Sequence, residues 1–367
     1  MKKYFGGLDT LRAIAAIVVV LNHIVLISEE QGRPLINTLS NFKFPDAHLA
    51  VVLFFVLSGF LITYLLIKEK ESNGKISLKK FYLRRILRIW PLYYLIIFAS
   101  LLFFEEDYSV TTLLLCLGIF PNIAHALEIG WTSSPQIWSI GVEEQFYLFW
   151  PLLVILIPSR KIIFYLCLFF VIYTILPHFI RYINGITLES GSLDIFTDRF
   201  FYQSKFNSMS LGAIFGAMYA MGDKILKIFY RKEIAYSAVI LTFILWFSGF
   251  VMSQFNDVIY SILFAIMILN VATNEKLKLN NDTKIFGFLG RISYGIYMYH
   301  WMIILLVLKV LPGDLFGGGI LYTVSLFATV LILTILISYI SFISFEAFFL
   351  RLKARHAGSA MHSGSQV

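Results

Sequence analysis

Long apolar runs recur from one end of this chain to the other, and they constrain its fold more than any other feature. A helix needs about 20 consecutive apolar residues to cross a bilayer. Hydrophobic residues make up 59 % of the 367 residues and charged residues only 14 %, whereas a soluble domain carries about 25 % charge. We therefore expect an all-α, polytopic transmembrane bundle of about ten spans. The spans are predicted near 10–28, 48–67, 87–104, 138–157, 161–177, 206–222, 235–253, 257–273, 290–311 and 319–349.

The positive charges predict how these spans are oriented. With the N-terminus in the cytoplasm, 24 of the 30 Lys and Arg residues fall on the inner side, as the positive-inside rule requires. A further apolar run at 110–120 is short, and counting it as a span would turn the basic loops that follow it outward. We expect this run to be re-entrant or interfacial, and both termini to be cytoplasmic. Topology then explains the net charge of +8, so nucleic acid is not an expected partner.

One membrane domain, residues 1–350, is predicted, followed by a disordered cytoplasmic tail at 351–367 that is small and polar. Cys116 and Cys167 both lie in apolar runs, without the spacing of a disulfide framework or a metal site. The sequence contains no phosphate-binding glycine loop and no zinc-binding HExxH helix. We expect a multi-pass protein of the cell membrane that uses no metal.

Two ionisable residues interrupt the first apolar run, "LDTLRAIAAIVVVLNHI". Arg12 and His23 are eleven residues apart, which places them on one helix face and about 16 Å apart along the axis. An ionisable residue inside a membrane usually faces a cavity and marks function. Two plainer interpretations stay open: Arg12 snorkelling to the inner headgroups, and His23 in a hydrogen bond between helices.

A second cluster, "RRILRIWPLYY", places Arg84, Arg85 and Arg88 on one cationic helix face just before the third predicted span. Arginine suits multidentate binding of phosphate. The same residues would also serve as a basic cytoplasmic flank beside anionic lipid, so the motif alone leaves both interpretations open.

A third motif, "PQIWSIGVEEQFYLFWP", places Glu143 and Glu144 near the outer end of a predicted span, in the outer half of the bilayer where His23 is also expected. Adjacent helical residues point about 100° apart, so at most one of the two should share a cavity with His23. We favour Glu143 as the carboxylate that orients this histidine, while a role in complementing the helix dipole is the alternative.

Other polar and aromatic residues are candidates for binding an acceptor molecule. For the motif "GRISYGIYMYHWM", the alternative to a binding role is an interfacial aromatic belt. For "FFVLSGFLIT", the alternative is close helix packing. The acceptor-side candidates are His300, Tyr299, Ser58 and Trp138, with Trp131, Asp194, Asp198 and Tyr202 in the outer loops.

Together, these motifs resemble acyltransferase family 3, whose membrane proteins transfer acyl groups, commonly acetyl, onto bacterial surface glycans and other acceptors. The resemblance runs to about residue 350 and rests on the five motifs "LDTLRAIAAIVVVLNH", "FFVLSGFLIT", "RRILRIWPLYY", "WSIGVEEQFYLFWP" and "YGIYMYHW". It implies a bacterial inner-membrane protein in which His23 is catalytic, Arg12 is essential and Glu143 is an active-site carboxylate. It also implies that Arg84, Arg85 and Arg88 bind the donor, acetyl-CoA, from the cytoplasm.

The expected function is O-acetylation of a sugar hydroxyl in an extracytoplasmic or lipid-linked glycan. His23 acts either as general base or as a covalent carrier of the acyl group. Many relatives carry an additional esterase-like domain, which this sequence lacks, so a separate extracytoplasmic transferase is a possible partner. The alternative is a transporter for an acylated or anionic metabolite with the arginines as its funnel, although no inverted repeat supports it.

Overall fold

The computed structural model describes residues 5–33, 35, 45–104, 108–251, 255–277, 282–311 and 319–356, with backbone alone for 354–356. Within these ranges the chain forms helices and turns and contains no strand, which confirms the predicted all-α class. The α-helices are α1 (Leu8–Glu30), α2 (Ala47–Asn73), α3 (Leu78–Phe103), α4 (Val110–Leu117), α5 (Pro121–Ala126), α6 (Trp138–Leu156), α7 (Ile162–Thr187), α8 (Gly191–Gln203), α9 (Phe206–Met221), α10 (Leu226–Phe229), α11 (Lys232–Phe247), α12 (Asn256–Thr273), α13 (Lys284–Arg291), α14 (Ser293–Val310), α15 (Gly319–Ser341) and α16 (Ala347–His356).

Eight helical segments in the described part of the chain are long and apolar enough to cross a membrane, and they coincide with eight of the ten predicted spans. The other two predicted spans, 206–222 and 235–253, form α9 and α11, which have 16 residues each. At 1.5 Å per residue such a helix is about 24 Å long, shorter than the ~30 Å hydrocarbon core of a bilayer. Helix α9 is nevertheless almost completely buried, because it packs between α2, α7 and α12.

Helix α2 is the centre of the bundle, and small residues let α9 lie directly against it. A Cβ atom added at Gly59 would overlap the carbonyl oxygen of Met209, and one at Gly212 would overlap that of Val56. Small residues at a helix contact allow membrane helices to bring their backbones together. Close helix packing, the alternative given above for the motif "FFVLSGFLIT", is therefore the role of Gly59 in that motif.

The apolar run at 110–120 forms the short helix α4, which turns back into α5 through Ile119 in the left-handed region (φ 66°). Eight residues extend about 12 Å, too little to cross a membrane. Cys116 in α4 has no exposed surface, and this burial raises the pKa of its thiol to about 12.

Two helix ends differ from the predicted boundaries. Helix α3 begins at Leu78, nine residues before its predicted span, so the three arginines lie inside a regular helix. At the other end of the chain, α15 passes through a π-helical turn, Phe342–Glu346, into α16, which packs against α3. Helix α16 reaches His356, so the predicted disordered tail cannot begin at 351; residues 357–367 lie outside the described residues.

Candidate active site

A cavity of about 320 Å³ lies among α1, α2, α3, α6, α14 and α16. The α2 residues from Val51 to Leu65 line it, which corresponds to about 21 Å along the helix axis. One end of the cavity is basic, and the other is mainly apolar and reaches Phe54 and Tyr297. The cavity therefore connects a basic region of the bundle with a mainly apolar one.

The basic end is built from four cations: Arg12, Arg85, Arg88 and Lys353. Arg88 interacts electrostatically with both Arg12 and Arg85, so the three guanidinium groups share one region. Arg12 donates to Asp9 Oδ1 at 2.7 Å, one turn earlier in α1. The structure therefore brings Arg12 of α1 together with Arg85 and Arg88 of α3.

Arg85 lies over the ring of Tyr147, with 5.2 Å between the guanidinium carbon and the ring centroid. Its buried Nε has no hydrogen-bond partner among the described residues. Arg84, the third predicted donor-binding arginine, faces elsewhere and forms an ion pair with Glu69 at 3.3 Å. Successive residues of a helix point about 100° apart, so Arg84 and Arg85 cannot both face the cavity.

Glu143 occupies the middle of the cavity wall, where two hydroxyl groups hold its carboxylate. Ser58 donates to Glu143 Oε1, and the Tyr147 hydroxyl donates to the same oxygen at 2.9 Å. Glu144 points away and accepts a hydrogen bond from Trp90 Nε1 at 2.7 Å. The expectation that only one of the two glutamates faces the cavity agrees with this geometry, and Ser58 has the polar cavity-lining role.

His23 lies against His300, and the two imidazole rings are nearly parallel. His23 Nδ1 and His300 Nε2 are 2.8 Å apart, and His300 Nδ1 is 2.6 Å from the carbonyl oxygen of Tyr297. His300 has no exposed surface, whereas His23 is half-buried. Because Tyr297 lines the apolar end of the cavity and its ring contacts that of His300, the histidine pair lies directly beyond that end.

This pairing corrects the prediction that Glu143 orients His23. Glu143 lies five residues, about 7.5 Å, inside the first residue of α6. At that depth its Oε1 accepts from Ser58 and Tyr147, and α14 supplies His300 as the partner of His23. The prediction placed the carboxylate and the histidine at one depth because a sequence gives no relative height for two helices.

The remaining acceptor-side candidates make contacts within the bundle. The Tyr299 hydroxyl donates to Ser341 Oγ at 2.9 Å, and the Trp138 ring packs edge-on against Phe55. Trp131 is buried and stacks on Tyr108 at 3.9 Å. The three further outer-loop candidates lie in α8: Asp194 is in its first turn, Asp198 pairs with Arg181, and Tyr202 stacks on His48.

Sequence reasoning missed three residues that contribute to the basic end: Tyr147, Glu346 and Lys353. Tyr147 follows Glu143 by one helical turn, a spacing that could have indicated it. Glu346 is the single charged residue in the last predicted span, and it interacts electrostatically with Arg88. The π-helical turn that carries Glu346 has no clear sequence signal, although such turns are frequent at functional sites.

A family model described as an acyltransferase domain, that of acyltransferase family 3, matches residues 5–340 of this chain. Peptidoglycan O-acetyltransferase OatA of Listeria monocytogenes is 29 % identical in an alignment 350 residues long, which covers 84 % of this chain and 51 % of that protein. The putative peptidoglycan O-acetyltransferase YrhL of Bacillus subtilis is 29 % identical in an alignment 169 residues long, which covers 42 % of this chain and 24 % of the relative. A putative O-acetyltransferase of Staphylococcus aureus is 29 % identical in an alignment 166 residues long, which covers 42 % of this chain and 25 % of the relative.

The chain spans about half the length of OatA and about a quarter of the length of the other two relatives. No solved structure matches it. The family match runs from the residues before α1 into α15, and so includes Arg12, His23, His300 and the cavity-lining residues other than Lys353. On this evidence the chain belongs to acyltransferase family 3.

Proposed function

We propose that this protein is a membrane O-acyltransferase that moves an acetyl group from acetyl-CoA to a sugar hydroxyl of an extracytoplasmic or lipid-linked glycan. The observation that carries the proposal is the cavity itself. It has four cations at one end and, past its other end, an imidazole pair that can take up a proton. The relatives named as peptidoglycan O-acetyltransferases support acetyl transfer to a glycan.

The basic end suits the phosphates of the donor. Guanidinium groups bind phosphate through paired, charge-assisted hydrogen bonds, and Arg85, Arg88, Arg12 and Lys353 all face one region. Pockets that enclose whole ligands measure about 300–1,000 Å³, and this cavity of about 320 Å³ is at the lower limit. It suits the extended acylated arm of CoA, with the nucleotide remaining outside at the arginines.

The chemistry then takes place where the arm meets the acceptor. His23 removes the proton from the sugar hydroxyl, and the oxygen attacks the thioester carbonyl. An O–C bond forms, the C–S bond breaks, and the proton passes from His23 to the departing thiolate. If His23 instead carries the acyl group, the same bonds change in two steps, with an N–C bond in between. Glu143 holds the hydroxyls of Ser58 and Tyr147 along the path of the arm.

We further propose that α9 and α11 cross the membrane with the eight longer helices, so that both termini are cytoplasmic and the arginines face the donor pool. The distribution of 24 of the 30 Lys and Arg residues supports this topology. Alkaline phosphatase fused after residue 356 should be inactive, because this reporter folds only outside the cytoplasm. An active fusion would contradict the proposed orientation.

The core of the proposal is tested with the substitution His23→Ala in membranes supplied with radiolabelled acetyl-CoA and cell-wall glycan. Acetyl incorporation should fall by roughly 100-fold or more, the size of a general-base contribution. His178→Ala is the matched control, because His178 is exposed on α7, away from the cavity. Undiminished incorporation by a correctly inserted His23→Ala protein would overturn the proposal.

A further inference from the structure

We propose that His300 is a positioning residue that fixes His23 in one tautomer, with the proton on Nδ1 and the reactive lone pair on Nε2. The catalytic consequence rests on the proposed acyl transfer. The tautomer itself follows from the hydrogen bonds of the two rings and can be measured without any substrate.

The positions of the protons on the two histidine rings follow from the Tyr297 carbonyl oxygen, which cannot donate a hydrogen bond. The Tyr297 carbonyl oxygen only accepts, so His300 Nδ1, at 2.6 Å, must carry the proton of that hydrogen bond. A neutral imidazole has one N–H group, so His300 Nε2 is an acceptor. His23 Nδ1, at 2.8 Å from it, must then be the donor. The lone pair of His23 is left on Nε2.

The surroundings of His300 favour its neutral form. The ring has no exposed surface, and its recorded polar partners are the backbone of Tyr297 and Ile296 and the His23 imidazole, beside the rings of Tyr297 and Trp301. None of these groups carries a negative charge, and a buried charge without a partner is strongly disfavoured. An imidazolium at His300, the one state that would reverse the direction of the hydrogen bond to His23, is therefore excluded.

Packing holds the two rings in this arrangement. The His23 and His300 rings are inclined by only 13° with centroids 5.1 Å apart, and the His23 and Trp301 rings pack edge-to-face with centroids 4.9 Å apart. On either side, Val20 and Ile24 of α1 pack in one buried cluster with Ile296 and Ile303 of α14. A rotation of the His23 ring that swapped the positions of Nδ1 and Nε2 would break its contacts with His300 and Trp301 of α14.

This geometry gives His300 the place that a carboxylate has in a hydrolytic triad, where a buried group holds the imidazole in its working tautomer. When the acceptor O–H bond breaks, the proton binds to Nε2 of His23. The Nδ1–H group continues to donate to His300 Nε2. A neutral partner stabilises the resulting imidazolium less than a carboxylate would, so the role of His300 is mainly to orient the ring.

The tautomer is tested by solid-state NMR of protein labelled with ¹⁵N-histidine and reconstituted in bilayers. The His23 resonances are those that disappear in His23→Gln. In the wild type they should show a protonated Nδ1 and an unprotonated Nε2. In His300→Leu, the Nε2-protonated form should become populated. A wild-type His23 protonated on Nε2 alone would overturn the inference, even if His23→Ala abolishes transfer.

Two substitutions separate orientation from mere space filling. The amide of His300→Gln can accept from His23 Nδ1–H and donate to the Tyr297 carbonyl, whereas His300→Leu can do neither. We expect His300→Leu to lower kcat roughly 100-fold with an unchanged KM for acetyl-CoA, and His300→Gln to recover most of that loss. Equal losses in both variants would contradict the positioning role. If His300→Leu does not fold, the wild-type resonances and His300→Gln decide.

Discussion

Arg84 and Arg85 are neighbours in the sequence but face different surroundings, as do Glu143 and Glu144. In each pair one side chain lines the cavity, while the other bonds to a residue away from it: Glu69 in the first case and Trp90 in the second. The helical rotation of 100° per residue predicts such a division, but it does not say which member faces inward. That choice depends on the helices that surround each pair.

Removing the guanidinium of Arg85 should weaken donor binding more than removing that of its neighbour. A hydrogen bond to a charged group contributes about 1.5–3 kcal/mol, so Arg85→Ala should raise the KM for acetyl-CoA roughly 10- to 100-fold. Arg84→Ala, which removes an ion pair with Glu69 at 3.3 Å, should change it by less than about 3-fold. The KM values are measured with labelled acetyl-CoA and saturating acceptor. Equal increases in the two variants would mean that the cavity does not bind the donor phosphates.

The buried thiol of Cys116 should resist alkylation while the protein is folded. Burial in α4 disfavours the thiolate and raises the pKa of this thiol to about 12. At pH 8.5 roughly one Cys116 thiol in 3,000 would therefore be ionised, and the thiolate is the reactive form. The modification of the Cys116 peptide by iodoacetamide is followed by mass spectrometry, before and after unfolding in denaturant. A rise in pH should speed the reaction, and equal rates in folded and unfolded protein would contradict the packing of α4.

At the scale of helices, the apolar runs predict where the membrane helices lie, but they predict several helix ends poorly. The run predicted to begin at 87 belongs to a helix that begins at Leu78, because the arginine-rich turns before it satisfy their backbone hydrogen bonds in the same helix. The run at 206–222 is an exception, because α9 (Phe206–Met221) matches it within one residue; its burial among other helices is what composition does not predict. The π-helical turn at Phe342–Glu346 lies in a mainly apolar run whose only charged residue is Glu346, so hydrophobic periodicity could not indicate the turn.

The contact between α2 and α9 should be sensitive to a single methyl group. In Gly212→Ala the new Cβ would overlap the carbonyl oxygen of Val56, and overpacking of this kind costs about 1–3 kcal/mol. Gly185→Ala is the matched control, since no atom lies within 4 Å of a Cβ at that position of α7. Its expected effect is neutral or slightly stabilising, because Ala favours a helix over Gly by about 1 kcal/mol. Thermal unfolding in detergent should show a lower midpoint for Gly212→Ala alone, and equal midpoints would refute this packing.

Across the whole molecule, the cavity draws its residues from both ends of the chain. Arg12 in α1 and Lys353 in α16 line the same basic end, and His23 meets His300 across 277 positions. Sequence spacing identified Arg12, His23, Arg85, Arg88 and Glu143 as candidates, because buried ionisable residues are rare in membrane helices. It could not pair them, since their pairing depends on how α1, α6 and α14 are placed around α2.

Thiol release distinguishes an acyltransferase from a transporter, the alternative function that the basic end could also serve. Detergent-solubilised protein with acetyl-CoA and a glycan acceptor should release one CoA thiol per acetyl ester formed, because each transfer breaks one C–S bond. The thiol is measured with a chromogenic disulfide, and the ester by mass spectrometry of the glycan. His23→Ala should release little thiol, because His23 is the proposed general base beside His300. His178→Ala should release as much thiol as the wild type, because His178 is exposed on α7, away from the cavity. A transporter would release none under any of these conditions, and that result would reject acyl transfer while leaving the measured tautomer of His23 unaffected.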